Sequence, residues 1–268
     1  MITIAHFLAI TCYIGAAALA AAPFARPVTA PVRGVIALLG AGVLAHLVAL
    51  VVATRAMGQL PLSGLGPALS FAGLALAAVL LLIEVLAREV TLTLVAAPLA
   101  AVCAAAANIV GLRPIEAPGG MPGIWLDSHI ALSFAGIAAF ATAAAAGAMY
   151  LVERRELKSR RFGAIFRFFP PLETLDRVNH LSALAGMVCL TVGVVLAGTY
   201  AIAYHAIDVP KIVWALGAWL GVSAVAVGRL VGGWRAQRAA LISSVAFVVV
   251  VLVYVAVRVA TPAGGKFL

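Results

Sequence analysis

Long uninterrupted runs of apolar residues most constrain what this chain can fold into. Several runs reach the roughly 20 residues that a helix needs to cross a bilayer, and they hold few or no charges. Of all residues 65% are hydrophobic and 10% are charged, whereas soluble domains are about 45–50% apolar and about 25% charged. Barrel strands would alternate polar and apolar residues. The sequence therefore predicts an all-α, polytopic transmembrane helical bundle.

About eight membrane spans account for these runs. They are expected at residues 2–23, 31–53, 64–87, 90–111, 126–151, 181–205, 210–233 and 239–259. The third and fourth spans are separated only by a short turn marked by Glu84, Arg88 and Glu89. The first run has no basic residue before it and is longer than a signal-peptide core, so it is interpreted as a retained span. Residues 1–268 are expected to form a single integral membrane domain.

The distribution of lysine and arginine predicts the orientation. Of the 18 basic residues, thirteen fall in one set of connections, which the positive-inside rule places in the cytoplasm. Both termini are then expected outside, with the chain in a bacterial inner membrane. The net charge of +9 is explained by these connections, so no nucleic-acid partner is expected, and the lipid bilayer is the first partner that the sequence implies.

Two connections have a composition of their own. The longest is expected from Glu153 to His180, and its stretch 154–169 is basic and carries several phenylalanines. That stretch is interpreted either as a topology anchor or as an amphipathic helix on the anionic inner leaflet. The outer connection 112–125 is rich in proline and glycine and ends at Trp125, which is expected at headgroup depth.

Histidines are the remaining candidates for chemistry, because the spans show no series of acidic residues and the three cysteines lie apart in apolar runs. His6, His46, His129 and His205 are expected in the outer half of the membrane, and His180 at the inner face. Neutral imidazole ligates iron, and a b-type haem is apolar enough to lie between helices. The pairs considered are His46 with His129, His129 with His205, and His6 with His46. Histidines near water are also often incidental or only bond helix ends.

Several short segments carry a family resemblance. They are Trp125–Ile130, Gly147–Leu151, Phe169–Asp176, Leu190–Gly193, Pro210–Lys211, Gly233–Arg235 and Arg238–Ala240, together with Trp214, Trp219 and Arg229. In their order and spacing the chain resembles the cytochrome c assembly superfamily, which comprises the haem-handling CcsA and CcmC proteins and their HemX-like relatives. The resemblance implies that His129 is the outer-face haem ligand. It also implies that His46 matches the second-span histidine of HemX-like members.

The chain departs from the haem-lyase pattern at three places. Residues 200–209 lack the tryptophan-rich WGxxWxWD segment, Gly228 stands where a histidine is expected, and the tail 261–268 has no histidine. The pattern therefore favours the HemX-like branch, and enzymatic activity is not expected.

Three functions remain open from the sequence. The first is a protein of cytochrome c biogenesis that binds, relays or scaffolds haem at the outer face, with Trp125 and the outer histidines at the site. Its expected partners are haem and other cytochrome c maturation or respiratory proteins. The second is a HemX-like regulator of tetrapyrrole synthesis acting through segment 154–169. The third is a non-catalytic membrane subunit of a larger respiratory complex. A small-solute channel is disfavoured, because nothing resembles a selectivity ring.

Overall fold

The computed structural model describes residues 2–25, 31–58, 60–61, 65–87, 90–112, 123–159, 170–203 and 209–260, and the regular secondary structure within them is all α-helical. The helices are α1 (Ile2–Ala20), α2 (Ala22–Ala25), α3 (Val32–Met57), α4 (Leu65–Ala87), α5 (Thr93–Val110), α6 (Gly123–Ser159), α7 (Leu172–Ala203), α8 (Val209–Leu230) and α9 (Ala236–Ala260). Among the described residues, eight helices are long and apolar enough to cross a membrane. The predicted all-α multi-pass fold is confirmed.

Backbone contacts divide the chain into two compact units, residues 1–127 and 128–268. In the first unit, α1 and α4 each pack against both α3 and α5, so these four helices close a ring. The interfaces are made by small residues: Ala9 and Ala16 are fully buried, and a Cβ on Gly73 would lie 2.9 Å from the carbonyl oxygen of Ala100. Such residues let helix backbones approach closely, which is how helices gain contact energy in lipid.

In the second unit, α7, α8 and α9 pack against one another, and α6 joins them through polar and apolar contacts. Asn179 of α7 donates its Nδ2 hydrogens to the carbonyl oxygen of Ala143 on α6 and to Ser243 Oγ on α9, each at 2.7 Å. The buried core around this point includes Phe140, Ala183, Leu190, Val222 and Val225.

Two helices are longer than a membrane crossing requires. α6 has 37 residues and α7 has 32, lengths of roughly 55 and 48 Å at about 1.5 Å per residue, against a hydrocarbon core of about 30 Å. Much of the connection expected from Glu153 to His180 is therefore helical. The Pro171 carbonyl accepts the N–H of Leu175 at 3.1 Å, so this proline precedes the first turn of α7, where its missing N–H costs nothing.

Two residues expected in connections lie inside helices. Glu84 is fully buried in α4, where its carboxylate accepts the hydroxyl hydrogen of Thr93 from α5; a donor of this kind offsets part of the cost of burying an acidic group. Trp125 lies in the first turn of α6. Two parts of the predicted connections lie outside the described residues: residues 113–122 of the outer connection and residues 160–169 of the basic stretch.

Candidate functional site

A hydrogen-bonded chain of four buried side chains lies inside the first unit. Ser70 Oγ on α4 is 2.8 Å from His6 Nε2 on α1 and 3.0 Å from His46 Nε2 on α3. His46 Nδ1 is in turn 3.2 Å from the hydroxyl oxygen of Tyr13 on α1. His6, Tyr13 and His46 are at most 1% exposed, so this chain joins three helices through polar groups that no water reaches.

Helix geometry and one glycine place these residues together. His6 and Tyr13 are seven residues apart, which puts them on one face of α1, and that face packs on α3. At the crossing point a Cβ on Gly42 would lie 2.6 Å from the Tyr13 ring. Only a glycine leaves room there, so the ring packs closely at Gly42 and its hydroxyl reaches His46.

The His6–His46 pair, as packed, does not fit a haem between its rings. Axial ligands to one iron must approach from opposite faces of the porphyrin. Here both Nε2 atoms converge on the same Ser70 hydroxyl, and the ring centroids are 4.8 Å apart with one ring edge-on to the other. Ligation of haem iron by His46 Nε2 would therefore require its hydrogen bond to Ser70 to break and α1, α3 and α4 to move apart. Haem ligation by His46 stays a prediction.

Removing the Ser70 hydroxyl should destabilise the first unit. In Ser70→Ala, both imidazole Nε2 atoms lose their partner in a dry site, at an expected cost of about 1–2 kcal/mol. Thermal unfolding of the purified protein in detergent would measure it. The matched control is Ser182→Ala: Ser182 is 2% exposed, and its hydroxyl has no hydrogen-bond partner in the part of the chain that the structure describes. Equal melting temperatures for the two variants would contradict the hydrogen-bonded chain that runs from His6 to Tyr13.

His129 lies in the second unit and has a different environment. Its Nδ1 is 2.9 Å from the carbonyl oxygen of Gly193 on α7. A carbonyl only accepts, so Nδ1 carries the hydrogen and Nε2 keeps its lone pair. Among the described residues no group hydrogen-bonds to Nε2. This is the arrangement in which a second-shell carbonyl orients a metal-binding imidazole.

Small residues set the spacing between α6 and α7 that makes this bond possible. A Cβ on Gly193 would lie 3.0 Å from Ser133 Oγ, one helical turn beyond His129. Further along the same interface, a Cβ on Gly136 would lie 2.6 Å from the Leu190 side chain. The two helices therefore approach closely along this face, and the His129 ring reaches the backbone of α7 directly.

A charged pair links α7 to α8 in the same unit. Both terminal nitrogens of Arg229 donate to the carboxylate of Asp176, one to each oxygen, and the Nη2–Oδ2 distance is 3.0 Å. The two side chains are 15% and 28% exposed. The bidentate geometry makes this a structural tie rather than a site with a free cation.

The structure tests the histidine pairs only in part. It brings His6 and His46 together, His46 and His129 belong to different units, and His205 lies outside the described residues. Trp125 stands four residues before His129 on α6. Sequence reasoning missed Tyr13, although its spacing from His6 was a usable signal, and it missed Ser70 and Gly193, for which the sequence offers no comparable signal.

Comparison with known proteins gives partial matches to curated relatives. The chain is 29% identical over 149 residues to an uncharacterized 28.8 kDa protein from the nifR3-like 5′ region of Azospirillum brasilense, covering 53% of this chain and 54% of that protein. It is 34% identical over 90 residues to the cytochrome c biogenesis protein CcsA of Nostoc punctiforme, covering 32% and 25%. It is 27% identical over 153 residues to CcsA of Guillardia theta, covering 50% of each.

The chain thus spans about half the length, or less, of these relatives. The match to the family described as Cytochrome C assembly protein is far more extensive, because it runs over residues 35–262. That range takes in most of α3 and all of α4 to α9, including His46, Ser70, His129 and the Asp176–Arg229 pair. With a match over most of its length, this multi-pass membrane protein belongs to the cytochrome c assembly protein family.

Proposed function

We propose that the protein binds, relays or scaffolds haem at the outer face of the membrane during cytochrome c biogenesis, with His129 as an axial ligand. The observation that carries the proposal is the bond from His129 Nδ1 to the Gly193 carbonyl. That bond holds the ring in one orientation and keeps the Nε2 lone pair available, which is what an iron ligand needs. The chemistry of this donor fits a haem.

The position of His129 supports the same proposal. It lies near the start of α6, and the charged residues Arg154, Arg155 and Lys158 lie near the other end. The positive-inside rule then favours an outer location for His129. Membership of the cytochrome c assembly family, and similarity to proteins named for cytochrome c biogenesis, favour this pathway.

The proposed role is to hold or pass haem, not to attach haem covalently to another protein. A bound haem would supply the redox-active iron, and the protein would contribute ligation, orientation and shielding from water. The stretch 200–209 lacks the tryptophans of the haem-lyase segment. The HemX-like branch and a b-type haem are therefore part of the proposal.

The test is an absorption spectrum of the detergent-purified protein, alone and after adding haem, before and after dithionite. We expect a sharp reduced band of the b type in the wild type and its loss, by about tenfold or more in bound haem, in His129→Ala, since an axial ligand is removed. Added imidazole should restore part of the band in that variant, because a free ligand can occupy the vacated position.

His180→Ala is the matched control, because His180 lies on the same helix as Gly193 but thirteen residues before it, and it should bind haem like the wild type. His46→Ala is measured alongside. It should bind haem like the wild type, because His46 Nε2 is already bonded to Ser70 in the structure. Full haem retention in His129→Ala would refute the assignment of His129. A wild type that takes up no haem would refute the whole proposal and favour the regulatory or structural-subunit hypothesis.

A further inference from the structure

The turn between α8 and α9 forms a basic cavity that the proposed haem site does not use. The cavity has a volume of about 430 Å3 and is lined by Gly232, Gly233, Trp234, Arg235, Gln237, Arg238 and Leu241. Its lining holds two guanidinium groups, a side-chain amide and an indole, and no carboxylate. In the described part of the chain neither Arg235 nor Arg238 has an acidic partner, since the ion pair found there joins Arg229 to Asp176.

The backbone and the indole give this cavity a fixed shape. Gly233 has a φ of 60°, in the left-handed region that favours glycine, and the N–H of Trp234 donates to the Gly228 carbonyl at 3.0 Å. The indole then lies on the Gly228 backbone, where an added Cβ would be 2.5 Å from the ring. The Arg238 guanidinium carbon is 4.4 Å from the indole centroid, so a cation–π contact orients this cation.

An apolar stripe leads away from the cavity along α9. Leu241 lines the cavity, and Val245, Val248 and Leu252 follow at helical spacing on the same face. All four side chains are at least half exposed. Val231, in the turn itself, is 84% exposed. A surface of this kind is solvated by lipid chains, and it begins beside Arg235 and Arg238, for which the described residues offer no acidic partner.

From this juxtaposition we propose that the α8–α9 turn is a binding site for an anionic phospholipid. Its phosphate group is held by Arg235 and Arg238 beside the first amides of α9, and an acyl chain lies along the stripe from Leu241 to Leu252. Guanidinium groups suit phosphate oxygens because they donate two hydrogens in one plane. Neither arginine has an acidic partner among the described residues, so a second phosphate on the same lipid, as in cardiolipin, adds to the electrostatic attraction and favours that lipid over one with a single phosphate.

Native mass spectrometry of the full chain in detergent tests the proposal, with phosphatidylcholine, phosphatidylglycerol and cardiolipin as probes. We expect retention in the order cardiolipin, phosphatidylglycerol, phosphatidylcholine. The double variant Arg235→Ala/Arg238→Ala should bind cardiolipin about tenfold or more weakly, given about 1 kcal/mol per basic residue at a membrane surface. Arg154→Ala/Arg155→Ala removes the same charge from an exposed face of α6 and should bind like the wild type.

Arg235→Lys/Arg238→Lys keeps the charge and loses the planar donors, so it should fall between the wild type and the alanine variant. This pair keeps the test available if the alanine variant does not fold. Equal cardiolipin retention in the wild type and both cavity variants would overturn the proposal. Equal losses in the cavity and α6 variants would also overturn it. Displacement of cardiolipin by millimolar inorganic phosphate would show a site for soluble anions and overturn the lipid assignment.

Discussion

Gly66→Ala should prevent the first unit from packing, with an expected loss of about 3 kcal/mol in the free energy of unfolding. Gly66 lies in the first turn of α4, and a Cβ there would be 1.8 Å from the carbonyl oxygen of Gly111, just after α5. That oxygen belongs to the backbone, so no side-chain rotation can relieve the clash. The ends of α4 and α5 would have to separate, and the loss should appear as a lower melting temperature and aggregation during size-exclusion chromatography.

Gly217→Ala is the matched control for this substitution. Gly217 lies in α8, and a Cβ there would meet no atom within 4 Å. Alanine is the better helix former by about 1 kcal/mol, so this variant should be as stable as the wild type or slightly more stable. A Gly66→Ala protein that melts together with the control would show that α4 and α5 do not approach as described.

Asp176→Ala should cost about 2–3 kcal/mol, the second-largest effect expected. The substitution leaves the Arg229 guanidinium, 15% exposed, without the carboxylate that accepts both of its hydrogen bonds. Breaking a fully buried pair costs about 3–5 kcal/mol, and partial exposure of both partners lowers that value. Chemical unfolding of the detergent-solubilised protein, monitored by circular dichroism, would measure the loss.

Two further variants distinguish the pair from a general charge effect. Arg177→Ala removes an exposed charge next to Asp176 and should change stability by less than about 0.5 kcal/mol. The exchanged pair Asp176→Arg/Arg229→Asp should recover part of the loss, because opposite charges again face each other. If Asp176→Ala is no worse than Arg177→Ala, the pair does not tie α7 to α8.

The fold class and its eight apolar helices were predictable because hydropathy and length alone determine what crosses a bilayer. The ends of α6 and α7 were not predictable from the sequence, because charged residues such as Arg154 need not end a helix that extends beyond the membrane. The expected span 126–151 therefore leaves out residues 123–125 at the start of α6 and residues 152–159 at its end. The family match over residues 35–262 confirms the resemblance predicted from the sequence.

The candidate site was predictable only where one helix decides the geometry. His6 and Tyr13 share a face of α1 by spacing, and His46 was expected as a histidine within the second membrane span. Ser70 joins them only because α4 packs on α3 at a height that brings Ser70 within hydrogen-bond distance of His6 on α1, which no local pattern encodes. In the same way, the Gly193 carbonyl that holds His129 is a backbone group, and the sequence does not show which carbonyl faces a given side chain.

The Ser70 hydroxyl couples the two histidines in the chain of Tyr13, His46, Ser70 and His6. Each neutral imidazole has one donor and one acceptor nitrogen, and Ser70 has a single hydroxyl hydrogen for the two Nε2 atoms that it contacts. The hydroxyl can accept from both Nε2 atoms, or donate to one and accept from the other, but it cannot donate to both. A group that fixes the proton on Nδ1 of either histidine therefore places the proton of the other on Nε2, across helices and without moving a backbone atom.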